Sequence, residues 1–173
     1  LAGTSKGGFY HHFASKDDLL CLIHDTFISY ELARGEEVLR RPGSAASRLH
    51  HMIIDLVESI DLYRPHVRVF FDERRFLSDE KFAVVKEKRD RYEMMVRSLI
   101  TEGIRNGEFR SDIEPRIITF ALFGMCNWIY QWFQPGKGLT AREIGERFSR
   151  LMLRALEPRP ADCPIELNPD SLE

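Results

Sequence analysis

At 173 residues, with 43% hydrophobic and 30% charged residues, the chain has the balance of one globular domain, or of a small module joined to a larger one. That balance excludes wholesale disorder and collagen-like repeats, and a formal net charge of −2 excludes a protein that coats nucleic acid over its whole surface while leaving room for a local basic patch. The 3 cysteines (Cys21, Cys126 and Cys163) are odd in number, far apart and without a CxxC, which argues against a disulfide framework or a zinc knuckle and suits a reducing, cytoplasmic compartment.

The chain opens on Leu1 with neither a basic start nor an apolar run, so a signal peptide is not expected, and the opening reads as the continuation of a longer protein. In Ala2–Phe13, Gly3 reads as a tight turn and Thr4 or Ser5 as the cap of a short helix. Phe9 and Phe13, four apart, face a small core, while Lys6, Tyr10 and His12 lie toward the other side. An aromatic underside and a basic, donor-rich outer face describe the recognition half of a helix-turn-helix. On spacing alone, an ordinary short helix padded by Gly7 and Gly8 reads equally well.

From there the pattern is helix after helix, with no strand alternation, and the expected fold class is all-α. Ser15 caps a helix whose apolar positions are Leu19, Leu20, Ile23, Phe27, Ile28 and Leu32. Arg41-Pro42-Gly43-Ser44 stops it. A second helix starts near Ala46 and carries Leu49, Met52, Ile53, Leu56, Val57 and Ile60 on one side. Arg64-Pro65 breaks it, and Val67, Phe70 and Phe71 mark a short amphipathic segment reaching toward Phe76. A long helix follows from Phe82 to Gly103, closed by Asn106-Gly107.

From Ile117 to Phe133 there is no charge. The run is a little short for a membrane span and contains Thr119, Asn127 and Gln131, so it reads as one helix buried on both sides, against its own domain and against something else. Thr140, with Glu143 as capping-box partner, opens the last helix, whose apolar face is Ile144, Phe148, Leu151, Met152 and Ala155. Four prolines and several acids beyond Glu157 read as an irregular tail. No HExxH, GxSxG, P-loop or CxxC is present. His50-His51 lacks helical ligand spacing, and no metal or cofactor is expected. Cys21 and Cys126 read as inert core thiols.

Gly3 to Leu20, Gly-Thr-Ser-Lys-Gly-Gly-Phe-Tyr-His-His-Phe-Ala-Ser-Lys-Asp-Asp-Leu-Leu, resembles the TetR family of bacterial transcription regulators, in which such a stretch spans the recognition helix and the start of the next one. Glu102–Phe109 resembles the phrase that ends a long helix in the regulatory domain of many members. The family's first helix and most of its second have no counterpart in the sequence. The resemblance implies the C-terminal part of a DNA-binding domain and a connecting helix over residues 1–30, a ligand-binding and dimerisation domain over 31–157, and the tail over 158–173. It implies that Tyr10, His12 and Lys16 hold operator-DNA phosphates and that Thr4, Ser5 and Lys6 approach base edges or phosphates. It also implies a homodimer joined by the last two long helices, and a repressor released from DNA by a small molecule.

Asn127 to Thr140, Asn-Trp-x-x-x-Trp-Phe-x-Pro-Gly-x-x-Leu-Thr, is similar to the regulators of fatty-acid, steroid and aromatic-acid breakdown that respond to acyl-coenzyme A esters. With this resemblance the expected effector site is an apolar cavity of Phe70, Phe71, Phe120, Phe123, Asn127 and Trp128. Arg64, Arg68, Arg74 and Arg75 cluster beside it in sequence, and guanidinium groups match phosphate geometry; a solvated basic face is the alternative for each arginine singly. The rival functions are a regulator of efflux or stress response sensing apolar or aromatic compounds, a helical dimeric scaffold, and a small-molecule enzyme. The last would need convergent acid–base groups that the charge-free helix does not offer.

Overall fold

The computed structural model describes residues 15–72 and 77–158. Among them are seven α-helices and no strand: α1 (Lys16–Arg40), α2 (Ala45–Leu62), α3 (Arg64–Asp72), α4 (Asp79–Arg105), α5 (Pro115–Asn127), α6 (Ile129–Trp132) and α7 (Ala141–Leu156). The expected all-α class is the observed one. None of these helices is long and apolar enough to cross a membrane, and no group of three or more His, Cys, Asp or Glu among the described residues could hold a metal ion.

The helix ends fall where short polar side chains can take up orphan N–H groups. Ser15 accepts from the Asp18 N–H at 3.1 Å, and Ser44 accepts from the Ser47 N–H at 3.1 Å. Thr140 and Glu143 form a full capping box: the Glu143 N–H donates to the Thr140 hydroxyl at 3.2 Å, and the Thr140 N–H donates to the Glu143 carboxylate at 2.8 Å. A second, non-local cap was not legible beforehand. Glu108, in the loop after α4, accepts from the N–H groups of Ala45 (3.1 Å) and Ala46 (2.9 Å) at the start of α2. Gly107 at φ +74° permits that loop to turn back.

Helix α2 runs through the middle and touches every other helix. Its Leu49, Met52, Ile53, Leu56, Val57 and Ile60 are sealed from solvent, and Ile54, on the side not counted as apolar in the sequence reading, is buried too. A helix apolar on nearly every side belongs in the centre of a bundle. Its most extensive partner is α7, where Gly145 lets the two backbones meet: a Cβ at Gly145 would stand 3.0 Å from Ile54 Cα.

Two expectations require correction. The uncharged run is not one helix. It breaks at Trp128, where α5 ends, and resumes as the four-residue α6. The break buries Ile129 and lays Tyr130 on the Phe71 ring, stacked at 4.9 Å. The apolar face of α7 is also rotated from the expected one. Ala141, Ile144, Gly145, Ser149, Met152 and Leu156 face the core, whereas Leu151 and Ala155 face out. The face turned to α2 carries the small residues Gly145, against Ile54, and Ser149, whose hydroxyl lies 2.7 Å from His50 Nδ1.

The outward positions form an apolar surface. Thr119, Leu122 and Cys126 are the inner side of α5, while Ile117 (57% exposed), Phe120 (44%), Trp128 (61%) and Trp132 (48%) lie outside, as does Leu151 (63%) on the adjoining α7.

Candidate ligand-binding site

A cavity of about 350 Å³ lies between α1, α3, α4 and α5, at the lower end of the range for small-molecule sites. Its wall is aromatic because four helices each present ring-bearing positions inward. Phe27 comes from α1, Phe70 and Phe71 from α3, Phe82 and Tyr92 from α4, and Phe123 from α5, whose largely exposed Phe120 also borders the cavity. The rings brace one another. Phe70 meets Phe27 edge-on at 5.8 Å and Phe71 edge-on at 5.2 Å, and Tyr92 stacks on Phe123 at 5.9 Å. Asn127, half-buried at the end of α5, supplies a polar amide.

Charge enters from α4. Its exposed Lys86, with Arg89, Asp90 and Glu93, lines one side of the cavity, and the Arg89 guanidinium sits 4.8 Å over the Phe70 ring. At the opposite, inner side is Glu31 of α1, fully enclosed. Burial pushes its carboxyl from the ordinary carboxylic range up to about 8, against the opposing pull of the neighbouring Ser59 and Tyr92 hydroxyls. The Oε1 atom has no hydrogen-bond partner. Burial, with the neighbouring Glu31, raises the Tyr92 phenol well above its usual value.

Of the residues the sequence singled out, Phe70, Phe71, Phe120, Phe123 and Asn127 line this cavity. Three do not. Arg64 lies over the Phe133 ring at 5.4 Å, the exposed Arg68 pairs with Asp72 one turn on at 3.6 Å, and Trp128 points outward at the turn that ends α5. Arg64 and Arg68 flank Phe70 in sequence, but their helical positions point them elsewhere. Arg74 and Arg75 lie outside the described residues, as do Thr4, Ser5, Lys6, Tyr10, His12 and Cys163. Lys16 is the first residue of α1 and is exposed.

The sequence reading missed Glu31, Lys86, Arg89 and Tyr92. Tyr92 lies within the long helix expected from Phe82 to Gly103 and is buried. A signal for Glu31 existed as well: Leu20, His24, Phe27, Glu31, Gly35 and Val38 recur at three- and four-residue steps, so Glu31 occupies an inward position of a helical stripe. Cys126 is buried, and burial raises its thiol; the half-buried Cys21 thiol is raised for the same reason.

The end of α1 nearest the start of the chain is joined to α4. Asp17 accepts from the Ser78 N–H at 3.2 Å and the Ser78 hydroxyl at 2.8 Å, and Lys81 pairs with Asp17 at 3.5 Å and also with Asp18. Two turns further along, Lys88 bonds Asp25 and Ser29. The helix that carries Lys86, Arg89 and Tyr92 into the cavity is therefore fastened by polar contacts to the helix that begins at Lys16.

Residues 42–156 match the model described as the tetracyclin repressor-like C-terminal domain, and residues 1–21 match the model of bacterial regulatory proteins of the tetR family. The chain is 25% identical over 154 residues to the HTH-type transcriptional repressor KstR2 of Mycobacterium tuberculosis, covering 88% of this chain and 76% of that protein. The solved structure of that repressor superposes with a TM-score of 0.85 at 24% identity, over 91% of this chain and 81% of the other. PfmR of Thermus thermophilus gives 0.82 at 26% identity, over 88% and 82%. AibR, solved with isovaleryl coenzyme A and operator DNA, gives 0.75 at 21% identity, over 86% and 80%, a likeness of fold. With its helical domain matched over residues 42–156 and the opening motif matched over 1–21, the chain belongs to the TetR family, DNA-binding transcription regulators rather than enzymes.

Proposed function

We propose that the protein is a homodimeric, cytoplasmic repressor that leaves its operator when an acyl-coenzyme A ester occupies the aromatic cavity. The observation that carries the reading is the cavity itself: rings from four helices surround a space whose one side bears Lys86 and Arg89. The rings suit an acyl chain. Lys86 and Arg89 take the part first given to Arg64 and Arg68, as cations for a phosphate-bearing carrier at the opening. The similarity to KstR2, a transcriptional repressor, and to AibR, solved with an acyl-coenzyme A and operator DNA, supports the same direction. Asp90 and Glu93 beside those cations favour a second reading, an uncharged apolar or aromatic effector that uses the rings alone.

In this reading Thr4, Ser5, Lys6, Tyr10, His12 and Lys16 meet the operator, Lys16 from the first position of α1. Phosphate contacts position without specifying sequence. Lys16→Ala therefore weakens binding to all sequences alike and lowers the salt slope by about one. Two copies join through the outer residues of α5 and α7, an apolar surface of Ile117, Phe120, Trp128 and Leu151. A stable joint there buries more than about 1,000 Å² in total. Leu151→Glu is expected to give monomers in sedimentation at micromolar concentration, while a wild type that sediments as a compact monomer would remove the dimer. Release follows if the ligand binds better to a form whose two recognition helices no longer stand about 34 Å apart, one turn of the duplex. Calorimetric titration with a series of acyl-coenzyme A esters and the matching free acids tests the effector. Equal affinity for ester and acid would take the carrier away from Lys86 and Arg89. Absence of ester binding in protein that holds its operator would defeat the acyl-coenzyme A reading.

A further inference from the structure

Glu31 lines the cavity and keeps one carboxyl oxygen, the enclosed Oε1, without a hydrogen-bond partner. The other groups around it are already engaged. Arg34 pairs with Asp55 at 3.0 Å and with Glu37 at 2.6 Å, and the Ser59 hydroxyl donates to the Leu56 carbonyl at 2.8 Å. Tyr92 hydrogen-bonds the Glu31 carboxyl, and the Cys126 thiol is buried nearby. An enclosed carboxyl oxygen without a partner is less stable than a paired one. A hydrocarbon ligand drawn into the cavity would leave that difference in place. A ligand that brings its own hydrogen-bonding atom to this point would remove it.

We propose that Glu31 sets the specificity of the cavity, its unpaired carboxyl oxygen hydrogen-bonding a ketone or hydroxyl oxygen at the buried end of an otherwise apolar ligand. The inference deepens the effector reading above and rests on the same cavity. Chemistry decides between an oxygen and a cation as the recognised group. Burial keeps the carboxyl protonated for the most part at neutral pH, so it has a proton to give to a ketone, and its other oxygen can accept from an alcohol. An ammonium ligand would first have to ionise it, and Arg34, the cation next to it, is already held by Asp55 and Glu37. A site built to pair with an oxygen rejects the analogue lacking it more strongly than an apolar pocket rejects a missing methylene.

The test compares two pairs of probes on the full chain. One pair is octanoyl-coenzyme A and 7-oxo-octanoyl-coenzyme A; the other, free of any thioester, is nonane and 2-nonanone. Binding is read by displacement of a cavity-bound fluorophore in wild type, Glu31→Gln and Glu31→Leu. We expect wild type to prefer the ketone of at least one pair by about tenfold or more, the size of one paired polar group. Glu31→Gln, which keeps a donor and an acceptor, retains most of that preference, and Glu31→Leu reduces it below about twofold. Between pH 7 and pH 9 the preference of wild type for the ketone falls as the carboxyl loses its proton, while that of Glu31→Gln stays level. A preference for the ketone without binding of either thioester would overturn the acyl-coenzyme A reading and uphold Glu31. No preference in wild type, or one undiminished in Glu31→Leu, would overturn the role of Glu31 whether or not the thioesters bind. Circular dichroism of Glu31→Leu confirms its fold, and the level pH response of Glu31→Gln separates recognition from a purely structural role.

Discussion

The two sides of α2 are built differently. Toward α7 the packing is close: Val57 is fully enclosed, Ile54 nearly so, and Gly145 lets the helices meet backbone to backbone. Toward α1 and α4 the bundle keeps a cavity, an enclosed carboxyl, a phenol and charged residues at an opening. The first side resists change, since close-packed interiors do not deform continuously. The second side holds unsatisfied groups whose free energy a ligand can lower, and this is what a responsive site requires. One protein of this size thus combines a rigid platform and an adjustable half around a shared central helix.

The contrast should be largest under truncation. Ile54→Ala, on the α7 side, is expected to cost about 2–5 kcal/mol in urea denaturation. Phe71→Ala, at the half-buried wall of the cavity, should cost clearly less, because space already exists beside it. Equal losses would mean that the cavity is as tightly filled as the core.

Next in size is the effect of pH on Glu31. Its carboxyl is raised from 4.5 in the unfolded chain to about 8 in the fold. Between those values the folded state holds more protons than the unfolded one, so stability is fully present below about pH 4.5 and declines as pH rises through about 8. The slope is about 1.4 kcal/mol per pH unit for one group. Glu31→Gln should therefore stabilise the protein more at pH 8 than at pH 5, as read by thermal unfolding. A gain independent of pH would mean that the carboxyl is ionised in the fold at neutral pH.

A smaller change is expected at the cap of α7. Thr140→Ala removes the side-chain half of the capping box at the entrance to the rigid half, at a cost of about 1 kcal/mol. The smallest thermal effect belongs to Asp17→Asn, where the contact to Ser78 is exposed to solvent. It should barely move the melting temperature yet reduce the factor by which a cavity ligand weakens operator binding. Unchanged coupling would mean that the Asp17–Ser78–Lys81 contact plays no part in transmission.

Much of the fold was legible because its punctuation is chemical and local. Ser15, Pro42-Gly43-Ser44, Asn106-Gly107 and the Thr140/Glu143 pair announce helix ends through groups within four residues of one another. The break at Trp128 was not legible, since no proline or glycine marks it there; it follows from how Ile129 and Tyr130 meet residues far away in sequence. The aromatic half of the cavity could be read from its uncharged helix and its Phe70-Phe71 pair. The charged half could not. Arg64 and Arg68 are near Phe70 in sequence, but Arg89 is near it in space, and only tertiary packing distinguishes the two. Glu31 was hidden by chemistry rather than by geometry, because a lone glutamate on a helix ordinarily faces water.

Helix α1 runs unbroken from Lys16 to Arg40 and so crosses residue 30 without a joint. Fifteen residues separate Lys16 from Glu31, a distance of about 22 Å along a helix rising 1.5 Å per residue. A rigid rod of that length is a lever. A tilt of roughly 5° about the cavity end would swing the Lys16 end by about 2 Å, the scale of helix shift that switching proteins use. Whatever enters beside Glu31 therefore needs to move its surroundings very little.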